Sequence, residues 1–175
     1  MNESFDFVII GSGGGSLCAA LVLRRAGKRV LVLEKTDLLG GTTAISGGVM
    51  WIPNNRYMQA EGIKDSAEQA NAYLDAVLGD RDDTPGASRE RRRAYVQEAP
   101  AMIDFLASEG VALRRLPSWP DYYCAPGESV PGRTVVSQLF DINQLGEWKS
   151  RLRPGFLAVP ANLDEAMQLP YMKRS

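Results

Sequence analysis

The sequence predicts an α/β fold that opens with a Rossmann-like βαβ unit. Three observations carry this expectation. An apolar run, Phe5 to Ile10, ends on Gly11-Ser12-Gly13-Gly14-Gly15-Ser16. A helical run, Leu17 to Ala26, follows and closes at a Gly27-Lys28 turn. A second apolar run, Val30-Leu31-Val32-Leu33, then ends on Glu34. Parallel strands need a crossover of a dozen or more residues, usually a helix, and this spacing supplies one.

Strand, glycine-rich turn, helix, strand and acid is the order in which a protein binds the ADP half of a dinucleotide. Gly11 lets the chain turn sharply off the first strand. Gly13 has no side chain, so a pyrophosphate can approach the backbone. The next helix points its free N–H groups and partial positive charge at the phosphates. Position 16 normally holds a third small residue where helix and strand pack, and here it is Ser16. Glu34 lies about 20 residues beyond the first glycine, where an acid accepts hydrogen bonds from the ribose hydroxyls.

The next segment bears on which dinucleotide is bound. Lys35 is followed by Thr36-Asp37-Leu38-Leu39 and then by Gly40-Gly41-Thr42-Thr43-Ala44-Ile45-Ser46-Gly47-Gly48. A plain NAD domain has no need of a second glycine- and hydroxyl-rich loop here. The longer FAD molecule does, because it continues across this region. Gly40 and Gly41 permit close backbone approach, and Thr42, Thr43 and Ser46 bring hydroxyls and backbone donors.

These stretches, with Trp51-Ile52-Pro53-Asn54-Asn55, resemble the FAD-binding domain of the fumarate reductase/succinate dehydrogenase flavoprotein superfamily. Within it, Trp51 to Asn55 is most similar to the 3-oxosteroid 1-dehydrogenase branch. The resemblance is close over residues 5–58, weaker to about 135, and slight over 140–175. It implies an FAD cradle of Gly11, Gly13, Gly14, Gly15, Ser16, Glu34, Lys35, Gly40, Gly41, Thr42, Thr43, Ser46, Gly47 and Gly48. It also implies a small lipophilic substrate such as a 3-ketosteroid, and an electron acceptor that it does not identify. In the family's reaction a tyrosinate removes a proton beside the ketone and a hydride leaves the adjacent carbon for the flavin. A fumarate-reductase-like enzyme running in the opposite direction is the alternative activity. It would need arginines to clamp carboxylates, and Arg114, Arg115 and Arg133 are the candidates. A non-catalytic nucleotide-binding fragment is the alternative from another class.

Composition bounds these readings. The chain has 175 residues, 45% apolar and 23% charged, with a net charge of −1, an ordinary globular balance. Near-neutral charge and the lack of a basic run give no support for nucleic-acid binding. No apolar stretch has the length of a membrane span. The polar start, Met1-Asn2-Glu3-Ser4, lacks the basic region of a signal peptide. The expected compartment is the cytoplasm, with peripheral membrane contact for a lipophilic substrate. The absence of histidine excludes, within this chain, a histidyl link to flavin and a histidine-based triad, so FAD is expected to be held non-covalently. Cys18 and Cys124 have no metal-like spacing, and a disulfide between them is not expected.

Beyond the glycine loops, Met50, Trp51 and Ile52 read as buried, Pro53-Asn54-Asn55 as a turn, and the chain to Gly62 as irregular. Asp65-Ser66-Ala67-Glu68 has capping-box spacing with Asp65 at the cap, opening a helix to Leu78. Its expected inner face is Ala67, Ala70, Tyr73, Leu74 and Val77. A charged loop, Gly79 to Gly86, leads to a helix over Ser88 to Glu98 whose Arg89, Arg91, Arg92 and Arg93 read as a mixed-charge exposed face. Pro100 suits the first turn of a separate helix, Ala101 to Ser108. Val111 to Leu116 reads as a strand that alternates apolar and basic at Val111, Leu113 and Arg114-Arg115, and Gly132 to Val136 as a further strand. Asp141 to Leu152 reads as a short helix with Leu145, Trp148 and Leu152 inward.

Between those strands lies Pro117-Ser118-Trp119-Pro120-Asp121-Tyr122-Tyr123-Cys124-Ala125-Pro126-Gly127-Glu128. Tyrosine offers an apolar face to a ring and a hydroxyl that a neighbour can activate. The resemblance places Tyr122 or Tyr123 at the substrate without choosing between them; two tyrosines packing a domain boundary is the structural alternative. The expected organisation is an N-terminal FAD-binding portion over 1–110 and the beginning of a substrate domain over 111–175. Family members are several hundred residues long and close the flavin site with a later glycine-rich segment. The chain is therefore expected to be an N-terminal fragment, with an unpaired sheet edge where later strands belong.

Overall fold

The structure is a computed structural model that describes residues 3–79, 84–117 and 119–155. Its contacts gather into two units, Met1–Gly48 with Leu139–Ser175, and Val49–Gln138.

In the first unit, β1 (Phe7–Ile10) and β2 (Val30–Leu33) pair in parallel, Phe7 opposite Val30 and Ile10 opposite Leu33. The connection is α1 (Gly14–Arg25), so the predicted βαβ unit is present. The helix starts three residues earlier than the apolar pattern suggests, because the glycines themselves form its first turn. It ends where Gly27 takes φ +76° and the amides of Ala26, Gly27 and Lys28 bond the last turn's carbonyls. Arg24 and Arg25 place positive charge at the negative end of the helix dipole. Among the described residues the sheet has two strands, and Val8 and Ile10 stay 53% and 75% exposed. Two strands cannot cover their own apolar faces.

Residues 142–151 of this unit form a 3₁₀ helix rather than an α-helix, kinked at Gly146, and Trp148 faces solvent instead of turning inward. Backbone bonds from Leu39 to Arg151 and from Arg153 to Leu39 tie that segment to the stretch before Gly40. Most of the unpatterned stretch after Arg153 lies outside the described residues.

The second unit centres on an antiparallel sheet in the order β3 (Val49–Trp51), β5 (Thr134–Ser137), β4 (Leu113–Arg115). Three helices accompany it: α2 (Arg56–Ala60), α3 (Ala67–Leu78) and α4 (Arg89–Ser108). Thus the stretch expected to be irregular after Trp51 contains a short helix. Asn55 starts it, accepting from the amides of Tyr57 and Met58 while its own amide donates to the Ile52 carbonyl. Ile52, Ala99, Ile103, Leu113 and Val135 form the core.

Four expectations are corrected here. Ser66, not Asp65, caps α3, accepting from Gln69 N–H, because Asp65 is committed to an ion pair. The cap thus begins one residue later, and Ala67 faces solvent. Pro100 lies inside one continuous α4. A mid-helix proline costs about 3 kcal/mol, and burial of Val96, Ala99 and Ile103 on the same helix offsets that. Arg92 is buried at 6%, with its guanidinium on Asp75 and on the carbonyls of Ala87 and Gly79. Arg115 on β4 is buried too, paired with Glu61 and the Pro131 carbonyl, so the strand does not alternate apolar-in and basic-out. No helix among the described residues is long and apolar enough to cross a membrane.

The turn at Gly127 presses on α3. A Cβ there would fall 2.3 Å from the Gln69 carbonyl oxygen, whereas one at Gly110 would meet nothing within 4 Å, although both glycines have positive φ. Gly110→Ala should therefore cost about 1–2 kcal/mol from backbone conformation alone. Gly127→Ala should cost at least about 3 kcal/mol, as read by urea unfolding of the two variants.

Candidate functional site

The glycine loop after β1 and the one after β2 meet in the first unit. A Cβ on Gly41 would lie 3.4 Å from Gly13 Cα, and one on Gly14 would lie 3.2 Å from the Thr43 side chain. Gly40 and Gly41 hold φ of +105° and +53°. The close approach expected of these residues is thus between the two loops themselves. Gly14 N–H donates to Thr43 Oγ1 at 3.0 Å, which leaves the Thr43 hydroxyl proton free to point elsewhere. Ser46 turns inward on its own loop, donating to the Thr43 carbonyl and accepting from Gly48 N–H. Thr42, Gly47 and Gly48 are exposed, as is Gly15 in the first turn of α1. Gly13 caps α1 in an extended conformation with no side-chain bond of its own, and at the positive end of the helix Thr43 takes the Gly14 amide. Ser16 donates to the Ile10 carbonyl at 3.4 Å, a polar substitute for the close packing a glycine gives there.

Glu34 lies just beyond β2, as expected. Its carboxylate accepts four bonds: from Ser12 N–H at 3.0 Å, from the Ser12 hydroxyl at 2.7 Å, and from the amides of Lys35 and Thr36 at 2.8 and 3.3 Å. The Ser12 hydroxyl in turn accepts from Gly40 N–H at 2.9 Å. Ser12 is 2% exposed. The glycine pattern alone does not mark Ser12 as functional; the one signal in the sequence is a hydroxyl where the turn needs only a small residue. The Ser12 hydroxyl is the main influence that holds the Glu34 carboxyl below its ordinary value, opposed by partial burial and helped by the three amides.

The second unit carries a cavity of about 440 Å³ with apolar and aromatic walls. Trp51, Tyr73, Tyr95, Trp119, Tyr122 and Tyr123 are among its lining residues. Trp51 stacks on Tyr73 and Tyr95 with centroids 5.9 and 6.3 Å apart, and Trp119 meets Tyr122 edge-on. Tyr122 and Tyr123 are 74% and 61% exposed. Tyr73 is different: burial raises its hydroxyl pKa, and its oxygen accepts from Tyr123 N–H.

Arg133 is wholly buried. It grips Asp65 with two nitrogens at 2.7 and 2.8 Å, and donates to Asp121 at 2.7 Å and to the Gly127 carbonyl at 3.0 Å. Burial alone would lower its pKa, but the two carboxylates outweigh that and hold it above its ordinary value. With Arg115 likewise paired to Glu61, neither of these arginines is placed to clamp a substrate carboxylate. Arg114 donates to the Arg115 carbonyl.

Residues 6–170 match the FAD binding domain family, and the chain belongs to it. The chain is 35% identical to 3-oxosteroid 1-dehydrogenase of Mycolicibacterium smegmatis over 98% of its own length and 29% of that protein. It is 42% identical to 4-oxocyclohexanecarboxylate 2-dehydrogenase of Sinomonas cyclohexanicum over 86% of its length and 26% of the relative's. Among solved structures, 3-ketosteroid Δ1-dehydrogenase of Sterolibacterium denitrificans, in complex with 1,4-androstadiene-3,17-dione, superposes with a TM-score of 0.76. The identity is 38% over 89% of this chain and 27% of that one. The chain thus spans under a third of the length of these relatives.

The first unit fits FAD on its own geometry. A glycine-rich helix N-terminus suits a pyrophosphate, the Glu34 carboxylate suits a ribose, and the Gly40–Gly48 loop lies beside both through Gly14 and Ser12. Ser12→Ala should weaken FAD binding by about tenfold or more, the loss of one charge-assisted hydrogen bond, measured by flavin fluorescence titration. The same variant carries a pH signature. A lowered folded-state pKa gives stability that is complete above the ordinary glutamate value of about 4.3 and is lost as pH falls through the folded value. Urea unfolding across that acid limb should therefore show a smaller loss of stability in Ser12→Ala than in wild type.

Proposed function

We propose that the chain is the nucleotide-holding part of an FAD-dependent dehydrogenase that removes hydrogen from the carbon–carbon bond beside a ring ketone, with a 3-oxosteroid as substrate. The observation that carries this is the identity to 3-oxosteroid 1-dehydrogenases along nearly the whole chain. The aromatic-walled cavity supports it, since a flat, uncharged ring system is what such walls accept.

In this reading Gly11, Gly13, Gly14, Gly15 and Ser16 turn the backbone toward the pyrophosphate, Glu34 receives the ribose, and Lys35 flanks it. Gly40 to Gly48, with the Thr42, Thr43 and Ser46 hydroxyls, line the path of the rest of the cofactor. FAD, when bound, supplies the hydride acceptor. It is held non-covalently: the chain has no histidine, and Cys18 sits on α1 with its thiol pKa raised by burial. Tyr122 or Tyr123, both in the cavity lining, is the group of this chain that would hold or move a proton at the substrate. The lipophilic substrate favours a cytoplasmic enzyme that works near a membrane surface.

The identity to the 4-oxocyclohexanecarboxylate enzyme favours a second reading, in which the substrate is a smaller ring ketone bearing a carboxylate. The engagement of Arg115 and Arg133 with protein carboxylates argues for the uncharged steroid, and equally against a fumarate-type substrate.

The FAD-loaded full-length protein should oxidise 4-androstene-3,17-dione in preference to 4-oxocyclohexanecarboxylate and should leave fumarate untouched. One of Tyr122→Phe and Tyr123→Phe should lower kcat by about 10²–10⁴ with FAD content unchanged, and the other should change it little. Preference for the carboxylate substrate would move the assignment to the second reading.

A further inference from the structure

Arg133 makes four hydrogen bonds inside its unit. Its fork holds Asp65, just before α3, and its third and fourth bonds go to Asp121 and the Gly127 carbonyl. Asp121 and Gly127 bracket Tyr122 and Tyr123, so both ends of that segment are pinned while its two side chains stay open. Asp121 also accepts from Trp51 Nε1 at 2.7 Å and from Ser129 N–H at 3.0 Å. The guanidinium lies 5.3 Å from the Trp51 ring centroid and 5.8 Å from that of Tyr73. Trp51, Tyr73 and the Tyr122–Tyr123 segment, all part of the cavity lining, therefore hang on one cation that does not itself line the cavity.

We propose that Arg133 is a positioning residue for substrate: through Asp121, Gly127, Trp51 and Tyr73 it sets the shape of the aromatic cavity and the placement of the Tyr122–Tyr123 segment. This rests on the reading of that cavity as the substrate's. A lysine keeps the charge but has no planar fork to hold two carboxylates and a carbonyl at once. The effect of substitution should therefore follow geometry as well as charge.

The test uses Arg133→Lys, Arg133→Met and Asp121→Asn in the FAD-loaded full-length protein. It reads two quantities: kcat/KM for 4-androstene-3,17-dione, and amide hydrogen exchange at Tyr123 and Ser129 against Ile103 and Leu106 in α4. The expected result is a fall in kcat/KM of about 100-fold in Arg133→Met, partly restored in Arg133→Lys, with FAD content at the wild-type level. Exchange should quicken at Tyr123 and Ser129 in all three variants while the α4 amides keep their protection. The proposal is overturned by kcat/KM within about twofold of wild type in folded Arg133→Lys and Arg133→Met. It is also overturned by exchange that quickens equally in α4, the mark of a purely structural ion cluster. If Arg133→Met does not fold, Arg133→Lys and Asp121→Asn decide; if none folds, the cluster is a folding requirement and the proposal fails. A wild-type protein that does not turn over the steroid defeats the proposed function instead, and the exchange pattern then decides the positioning role alone.

Discussion

The Ser12 hydroxyl joins three places far apart in sequence: the turn after β1, the acid after β2, and the second glycine loop. It donates to Glu34 and accepts from Gly40 N–H, and it is buried while doing so. A hydroxyl is the smallest side chain that can both give and take a hydrogen bond. Alanine in its place would leave a buried Gly40 amide without its acceptor and Glu34 without its shortest donor. The carboxylate is thereby fixed before any nucleotide arrives, and the Gly40–Gly41 turn is brought to within backbone contact of Gly13. A preorganised acid near a glycine-rich helix N-terminus lowers the ordering cost of binding a long, flexible cofactor.

The second unit solves a related problem with charge. Arg133, Asp65 and Asp121 are all buried side chains, one positive and two negative. The surplus negative charge is met by four further donors: the amides of Asn54, Ser66 and Ser129 and the indole of Trp51. A buried ion group of this kind adds little net stability over an apolar equivalent. Removing one partner, however, costs about 3–5 kcal/mol because the others are left uncompensated. What the cluster provides is geometry. It fixes a tryptophan edge, a helix start and both ends of a tyrosine-bearing turn from one point.

The βαβ unit was legible because its signals are local. Strand periodicity, glycines that need positive φ and a helix-length crossover all lie within 30 residues, and a family resemblance rested on the same stretch. The glycine loops were also legible as a candidate site. What they do with their hydroxyls was not, since Thr43 and Ser46 satisfy backbone amides of the loops themselves. The misreadings in the second unit share one cause. Asp65 looked like a helix cap, Arg92 like a surface charge and Arg115 like the outward residue of a strand. Each is instead fixed by a partner 17 to 68 positions away. Local pattern cannot show a pairing at that separation. Pro100 failed for the complementary reason: burial of its neighbours on α4 overrode a strong local breaker. The role of Arg133 needed Asp65 and Asp121 to be seen together.

On this reading the two glycine loops and Glu34 form a cradle for FAD rather than for a shorter dinucleotide. The most direct test is a competition titration of the purified protein with FAD and NAD, followed by flavin fluorescence. The account predicts that FAD binds at least about 100-fold more tightly than NAD, a difference of roughly 2.7 kcal/mol, and that Gly41→Val removes most of that margin. Equal affinity for the two, or a margin that survives Gly41→Val, would contradict it and leave the loop after β2 without a role in holding the cofactor.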